Sequence, residues 1–194
     1  NANKSATWQQ IPTIANQQRR VGIFGLGHLG QVAAKNLFQL GFSVNGWSRS
    51  AKQIADVNCF HGDGRLHTFL SQSDILVCLL PLTDQTRGIL NHETLSQLPK
   101  GASVINVGRG EQLVAQDLLA LLDEQHLAYA ILDVFDIEPL PEAHPLWQHP
   151  SVFVTPHIAA ITQNDSAGKM LVENVQRYLD QQPMRGIVDR SLGY

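Results

Sequence analysis

Short apolar runs alternate with amphipathic segments along most of the chain. The runs have the length of buried strands and lie at residues 21–24, 42–47, 75–80, 103–107, 128–134 and 151–155. Segments with apolar residues at helical spacing lie at residues 31–40, 90–98, 114–122 and 164–179. In the stretch 51–73 the pattern predicts only a short helix, from Leu66, Phe69 and Leu70. Strands that alternate with helices predict an α/β fold, in which helices cover both faces of a parallel sheet.

The first predicted strand leads into a glycine-rich turn. Gly25, Gly27 and Gly30 have the spacing G-x-G-x-x-G, and a helical segment follows directly. In such a turn the first glycine permits the tight bend, the second lets the backbone approach a pyrophosphate, and the third lets helix and strand pack closely. The N–H groups at the start of the helix then face the phosphates. Strand, turn and helix in this order predict a doubly wound, Rossmann-type sheet that binds a dinucleotide.

Polar residues follow the carboxyl ends of the predicted strands. These residues are Ser48, Arg49, Arg109, Asp133, Glu138 and His157. Ligands of open α/β sheets bind outside these strand ends. Because all of these residues fall on one rim of the sheet, we expect the functional site there.

Composition and charge exclude several classes of protein. The apolar content of 43% is typical of a globular core, and the net charge of −3 argues against a nucleic-acid binder. No apolar stretch has the length of a membrane span, and the polar residues 1–18 do not resemble a signal peptide. Cys78 lies in an apolar run and forms no C-x-x-C pattern with Cys59, so we interpret it as a core residue of a protein from a reducing, cytoplasmic compartment. No spacing of histidines, cysteines and carboxylates suggests a metal site.

Three of the rim residues suggest a catalytic set. Arg109 lies between two glycines, and its guanidinium matches a carboxylate in a bidentate way. His157 can exchange a proton near neutral pH, although alone it would more often be a structural histidine. Glu138 would orient and stabilise the imidazolium of His157 if the two side chains met. Six further histidines lack such a setting and are expected at the surface, namely His61, His67, His92, His126, His144 and His149.

Such a set beside a bound nicotinamide suggests one type of reaction. Hydride would pass to the carbonyl carbon of a 2-keto acid, with His157 supplying the proton. Arg109 would hold the carboxylate and polarise the carbonyl.

Five segments of the chain resemble one family in the same order. These segments are residues 21–30, 80–83 with Thr86, 104–110, 132–135 with Glu138 and Pro139, and 155–158. They resemble the D-isomer-specific 2-hydroxyacid dehydrogenases, and the resemblance extends from about Trp8 to Tyr194. Residues 47–50, 139–147 and 188–194 are most similar to the glyoxylate and hydroxypyruvate reductases within that family.

The resemblance implies a dinucleotide-dependent reduction of a small 2-keto acid such as glyoxylate or hydroxypyruvate. The catalytic Arg, Glu and His of the family correspond to Arg109, Glu138 and His157, and its carboxylate for the nicotinamide amide corresponds to Asp133. The expected cofactor-binding residues are Gly25, Leu26, Gly27, His28, Leu29, Gly30, Trp47, Ser48, Arg49, Ser50, Leu80, Pro81, Leu82, Thr86, Val107, Gly108, Arg109, Asp133, His157 and Ala159.

Members of the family also have a substrate domain, built mostly from residues that precede the nucleotide-binding domain. That portion is absent from this sequence. We expect residues 1–19 to be a connecting segment, 20–182 the NAD(P)-binding domain, and 183–194 a tail that returns toward the substrate domain. Such a chain would bind cofactor without turnover. Because dimers of the family associate largely through this domain, the resemblance also implies a homodimer.

The end of the second predicted strand favours NADP(H) over NAD(H). An NAD enzyme usually places Asp or Glu about 20 residues beyond the glycine motif, where the carboxylate binds the ribose. Here Ser48 stands 18 residues beyond Gly30 (48 − 30) and would not repel a 2′-phosphate. Arg49 could bind that phosphate with charge-assisted hydrogen bonds, while Ser48 and Ser50 donate hydroxyls and Lys52 adds charge.

Two other functions share part of this pattern. A dinucleotide-sensing or corepressor module would keep the fold, but it would not need the combination of Arg109, Glu138 and His157. An S-adenosylmethionine methyltransferase can also carry a glycine-rich loop, but the later rim motifs argue against it. The sequence therefore favours the enzyme.

Overall fold

A seven-stranded parallel sheet forms the centre of the protein. The computed structural model describes residues 13–188. Its strands are β1 (Arg20–Phe24), β2 (Ser43–Ser48), β3 (Asn58–His61), β4 (Ile75–Cys78), β5 (Ala102–Asn106), β6 (Leu127–Leu132) and β7 (Val152–Val154). Every neighbouring pair is parallel, and the order is β3-β2-β1-β4-β5-β6-β7. The chain runs outward from β1 to β3 and then returns to the other side of β1. This reversal leaves a crevice beyond the carboxyl ends of β1 and β4, where sheets of this kind bind ligands.

The helices of the described residues lie between the strands and after the last one. They are α1 (His28–Gln39), α2 (Leu66–Leu70), α3 (His92–Leu95), α4 (Ala115–Asp123) and α5 (Asn164–Leu179). Gly41, with a φ of +86°, follows the end of α1 in the left-handed conformation that glycine adopts at low cost. Asn91 caps α3, because its side-chain oxygen accepts the N–H of Thr94 at 3.0 Å. The predicted α/β fold is confirmed.

The core consists of two apolar clusters. One contains Phe24, Phe69, Leu76, Leu118 and Leu132, among other buried residues. The second is smaller and is formed by Val21, Ile23, Leu26, Ala34 and Val44. Strand β1 contributes to both clusters because successive side chains point to opposite faces. This central position fixes the direction in which β1 delivers the glycine-rich turn.

The sequence pattern did not predict β3. This strand is at the edge of the sheet and pairs with β2 alone. Asn58 and His61 are exposed, and Cys59 and Phe60 are only partly buried. A short strand that is half polar and has one partner carries little apolar alternation, so periodicity does not reveal it. The predicted helix 90–98 is also shorter, since only His92–Leu95 is α-helical.

The terminal helix α5 has the predicted bounds but contributes no buried residue. Its apolar side chains are largely exposed, with 70% of Val172 and 71% of Tyr178 accessible. The core described above therefore forms without α5.

Several predictions fall partly or wholly outside the described residues. Trp8 and the rest of residues 1–12 lie outside them, as do residues 189–194 at the end of the predicted tail. Of the connecting segment, residues 13–19 contain a 3-10 turn, Asn16–Gln18, whose Asn16 side chain donates to the carbonyl of Leu40 at 2.8 Å. Between residues 13 and 188, no helix combines the length and the apolar character that a bilayer crossing requires.

Candidate active site

The glycine-rich turn connects β1 to α1 and leaves no room for a side chain at Gly25 or Gly30. Gly25 has a φ of +116°, and its N–H donates to the carbonyl of Trp47 at 3.0 Å. A Cβ at Gly30 would lie 1.9 Å from the carbonyl oxygen of Gly25, so this position requires glycine. A Cβ at Gly27 would meet nothing within 4 Å, so the turn is open there to an incoming group. The bare backbone before α1 therefore fits the pyrophosphate of a dinucleotide.

A cleft of about 1080 Å³ opens beside this turn. Its lining contains most of the residues expected to bind cofactor, namely Gly25, Leu26, Gly27, His28, Leu29, Gly30, Trp47, Ser48, Arg49, Ser50, Leu80, Pro81, Leu82, Thr86, Val107, Gly108 and Arg109. Asp133, His157 and Ala159 are not among its lining residues. The dimensions and the open glycine turn fit a nicotinamide dinucleotide.

One charged residue of this cleft was not expected from the sequence pattern. Asp63 lines it from the 3-10 turn Asp63–Arg65, which follows β3. Because β3 itself was not predicted, nothing placed residue 63 at the carboxyl edge of the sheet. The glycines on either side of Asp63 were the available signal for a loop at that point.

The side chains after β2 differ in their exposure. Ser48 is only 8% exposed, and its hydroxyl donates to the carbonyl of Ser50 at 2.8 Å. The expected hydroxyl donation from Ser48 to a ligand therefore does not occur in this conformation, because the turn itself uses that proton. Arg49, Ser50 and Lys52 are exposed along the cleft.

Two other expected cofactor residues support the walls of the cleft. Trp47 is 7% exposed, and its indole N–H donates to the carbonyl of Gly62 at 3.1 Å. The hydroxyl of Thr86 donates to the carbonyl of Pro81 at 2.6 Å and accepts the N–H of Thr83 at 2.8 Å. These bonds fix the loop that follows β4.

Arg109 lies just beyond β5 and lines the cleft. Its guanidinium donates to the carbonyl of Gly108 at 2.7 Å. A Cβ at Gly110 would lie 1.8 Å from the carbonyl carbon of Phe135, so the Arg109 loop and the segment after β6 are in direct backbone contact. The N–H of Phe135 in turn donates to Glu138 at 2.9 Å. The Arg109 loop and the segment that holds Glu138 are thus brought together.

His157 and Glu138 form a pair on this rim. Nδ1 of His157 lies 2.7 Å from Oε2 of Glu138. The hydrogen bond from His157, together with the N–H of Phe135, lowers the pKa of Glu138 below its usual value. The side chains are 50% and 36% exposed, respectively, so a small molecule can reach the pair. His157 has a φ of +54°, which is uncommon outside glycine and is held here by the surrounding loop.

Asp133 holds that loop. It is 2% exposed and accepts hydrogen bonds from the Thr155 hydroxyl and from the N–H groups of Ile158 and Ala159, the latter two at 3.0 and 2.9 Å. Burial opposes ionisation of Asp133, but these hydrogen bonds outweigh it and leave its pKa below the usual value. Asp133 therefore holds the side chain of Thr155 before His157 and the backbone of Ile158 and Ala159 after it.

Three of the six histidines expected at the surface are partly buried instead. His149 has only 12% of its side chain exposed and lies 3.3 Å from Asp123, and His126 and His144 are partly buried. The rings of His144 and His149 accept backbone N–H groups from Leu146 and Ser151, which keeps them against the chain. The prediction was wrong for these three and correct for the exposed His61, His67 and His92. Residues 13–188 contain no group of three or more His, Cys, Asp or Glu that could hold a metal ion.

Comparison with known families identifies this arrangement. Residues 1–159 match the family model for the D-isomer specific 2-hydroxyacid dehydrogenase, NAD binding domain. The chain belongs to this family.

Named relatives and solved structures agree with this assignment. A glyoxylate/hydroxypyruvate reductase A from Photorhabdus laumondii is 46% identical over 187 residues, which are 96% of this chain and 60% of that protein. A D-isomer specific 2-hydroxyacid dehydrogenase from Xanthobacter autotrophicus Py2, solved with NADPH and MES, has a TM-score of 0.96 and 44% identity, over 100% of this chain and 80% of that one. An NADPH-dependent glyoxylate/hydroxypyruvate reductase from Sinorhizobium meliloti, solved with NADP and sulfate, has a TM-score of 0.95 and 37% identity, over 100% of this chain and 62% of that one. The chain thus spans about 60% of the length of the curated relatives it matches.

Proposed function

We propose that the protein containing this chain reduces a small 2-keto acid, such as glyoxylate or hydroxypyruvate, with NADPH. The observation that carries the proposal is the pair of His157 and Glu138, joined at 2.7 Å on the rim that also holds Arg109. Sensing a dinucleotide alone does not require an oriented imidazole. The names of the relatives support the same substrate class.

His157 acts as the general acid in this proposal. The carboxylate of Glu138, whose pKa is lowered further by the hydrogen bond from His157, is ionised at neutral pH and accepts that bond from Nδ1 of His157. Nε2 is then the nitrogen that exchanges a proton with the substrate oxygen. The hydrogen bond to Glu138 also fixes the orientation of the imidazole ring.

Arg109 binds the substrate carboxylate and polarises its carbonyl group. Its side chain is exposed, while the loop that carries it is packed against the backbone of Phe135 at Gly110. This contact fixes the point of the rim from which the guanidinium extends. A guanidinium offers two parallel N–H donors to a carboxylate, which orients the carbonyl relative to the acid.

In this proposal the cleft would hold the cofactor. The glycine turn and the start of α1 would hold its pyrophosphate, and the loops after β4 and β5 would hold the nicotinamide half. A bound nicotinamide would supply the hydride. Oδ2 of Asp133 accepts one hydrogen bond, from Ala159, and a carboxylate oxygen has capacity for a second, which we assign to the nicotinamide amide.

Replacing Arg49 by alanine should weaken NADPH binding far more than NADH binding. Arg49 lines the cleft at the position where a 2′-phosphate would lie, and only NADPH carries that phosphate. Titration of the full-length protein with each cofactor measures both affinities, and higher salt should narrow the difference between them in the parent.

Arg65→Ala is the matched control for this variant. It removes a cation from the neighbouring turn, where the guanidinium lies 5.8 Å from the ring centroid of Phe60 and does not line the cleft. Equal losses of NADPH and NADH affinity in Arg49→Ala, or tighter NADH binding in the parent, would remove the assignment of Arg49.

We also propose that the substrate domain is supplied by a part of the protein outside this sequence, and that two copies associate as a homodimer. Residues 1–194 alone should then bind NADPH more weakly than the full-length protein and show no appreciable reduction of glyoxylate. A second domain would close over the nicotinamide, exclude water and add substrate contacts. A steady-state rate from residues 1–194 close to that of the full-length protein would contradict this domain assignment.

The proposed function is tested by a steady-state assay of the purified full-length protein with NADPH and a series of 2-keto acids. We expect glyoxylate or hydroxypyruvate to be reduced, because the site provides an acid and a carboxylate-binding group. Tight NADPH binding without turnover of any 2-keto acid would favour the dinucleotide-sensing alternative.

A further inference from the structure

Gln112 is a fully buried amide that makes contacts in two directions. It ends the 3-10 turn Gly110–Gln112 and has no exposed surface. Its Nε2 donates to the carbonyl of Leu80 at 2.9 Å and to that of Pro81 at 3.1 Å. Its Oε1 accepts the N–H of Arg109 at 2.8 Å. One side chain therefore joins a wall of the cofactor cleft to the backbone of the substrate-binding arginine.

A second buried amide holds Arg109 from the other side. Nδ2 of Asn106, which is also fully buried, donates to the carbonyl of Arg109 at 3.1 Å. Its Oδ1 accepts the N–H of Gly108 at 3.2 Å. The N–H and the carbonyl of Arg109 are thus both bound to groups that solvent does not reach. Its backbone is held extended, with φ −139° and ψ 150°.

The backbone at Gly108 and Leu80 is packed tightly around the side chain of Gln112. A Cβ at Gly108 would lie 2.4 Å from Oε1 of Gln112 and 3.2 Å from the carbonyl oxygen of Leu80. A buried amide that loses its partners is costly, because no water replaces them. The buried Gln112 amide thus connects residues 80–81 to the N–H of Arg109, and movement of one without the other would break these hydrogen bonds.

We propose that Gln112 is a positioning residue that couples the Leu80–Pro81 wall of the cofactor cleft to Arg109. The proposal rests on the proposed function, since it assigns the cofactor to this wall and the substrate carboxylate to Arg109. Cofactor contact with residues 80–81 places the Arg109 backbone for substrate. Because coupling between two binding sites is reciprocal, a bound carboxylate also raises the affinity for cofactor.

The variant Gln112→Met tests this coupling in the full-length protein. Methionine has a similar length and removes both the donors and the acceptor. We measure the Kd of NADPH with and without saturating oxamate, a carboxylate that is not reduced, and the kcat and KM for glyoxylate. In the parent we expect oxamate to tighten NADPH binding by at least about 5-fold, as is typical of coupled sites. In Gln112→Met we expect the ratio of the NADPH Kd without oxamate to the Kd with oxamate to approach one. We also expect the KM for glyoxylate to rise more than kcat falls.

Gln97→Met is the matched control. The Gln97 amide also makes two side-chain contacts, to the carbonyl of Glu93 at 3.0 Å and to His67 at 2.9 Å, but neither of these partners lines the cleft, whereas Leu80, Pro81 and Arg109 do. A purely structural role for Gln112 would lower the thermal stability of Gln112→Met and leave the oxamate ratio at its parental value, as in Gln97→Met. That result would overturn the proposal.

Hydrogen exchange on the parent decides the question if Gln112→Met does not fold. We expect NADPH to slow amide exchange in residues 110–112, which do not line the cleft, and unchanged exchange there would overturn the proposal. If the parent protein binds NADPH but reduces no 2-keto acid, the proposed function is wrong, and so is the coupling to Arg109 that rests on it. If the parent protein reduces glyoxylate and Gln112→Met keeps the parental ratio of NADPH Kd values without and with oxamate, only the coupling is wrong.

Discussion

Replacing His157 by alanine should lower glyoxylate turnover by about 10²–10⁴-fold, the usual contribution of a general acid–base group. The imidazole is the group in the pair with Glu138 that can carry a proton to substrate at neutral pH. Affinity for NADPH should change little, because the glycine turn and Arg49, which we propose to bind its phosphate groups, are unchanged in this variant. Steady-state rates and cofactor titrations on the full-length protein measure both quantities.

His92→Ala is the control for this variant. His92 is exposed at the start of α3, and its ring is not part of the rim. The control should keep the parental turnover and the parental affinity for NADPH. Near-normal turnover in His157→Ala would remove this histidine from the mechanism.

Gly110→Ala should have the second largest effect, because its methyl group would overlap the backbone of Phe135. The added Cβ would lie 1.8 Å from the carbonyl carbon of Phe135 and 2.3 Å from the nitrogen of Asp136. Neither atom belongs to a flexible side chain, so the Arg109 loop must move away from the segment that carries Glu138. We expect the free energy of unfolding to fall by about 1–3 kcal/mol or more, as for an overpacked core. Turnover should also be largely lost at temperatures where the variant is folded.

Gly168→Ala is the matched control for that experiment. Gly168 lies in α5, and a Cβ there would meet nothing within 4 Å. Alanine is about 1 kcal/mol more favourable than glycine in a helix, so this variant should be no less stable than the parent. Denaturant unfolding of both variants gives the comparison. A Gly110→Ala protein with parental stability and turnover would show that the two segments are not packed as described.

The sequence predicts those parts of the fold in which the apolar positions along the chain are also the positions buried in the structure. Strand β1 is nearly continuous apolar sequence and is buried on both faces, and Gly25, Gly27 and Gly30 follow it at a diagnostic spacing. The rim residues could be predicted for a related reason. Parallel strands end at one edge of a sheet, so residues far apart in sequence, such as Glu138 and His157, are brought to the same edge.

What the sequence did not reveal depends on tertiary contacts. Strand β3 is short and half polar, and only its pairing with β2 defines it. Gln112 resembles a surface residue in the sequence, but the packing of the loops after β4 and β5 buries it completely. The three bonds that Asp133 makes to the His157 loop likewise join residues more than twenty positions apart. No periodicity or local spacing encodes such contacts.

The most direct test of the account is the stoichiometry of NADPH consumption and product formation by the purified full-length protein with glyoxylate. The arrangement of His157, Glu138 and Arg109 beside the cofactor cleft predicts one glycolate formed for each NADPH oxidised, with both quantities falling together in His157→Ala. NADPH that binds but is not oxidised, or oxidation without glycolate, would contradict the assignment of this site to 2-keto acid reduction.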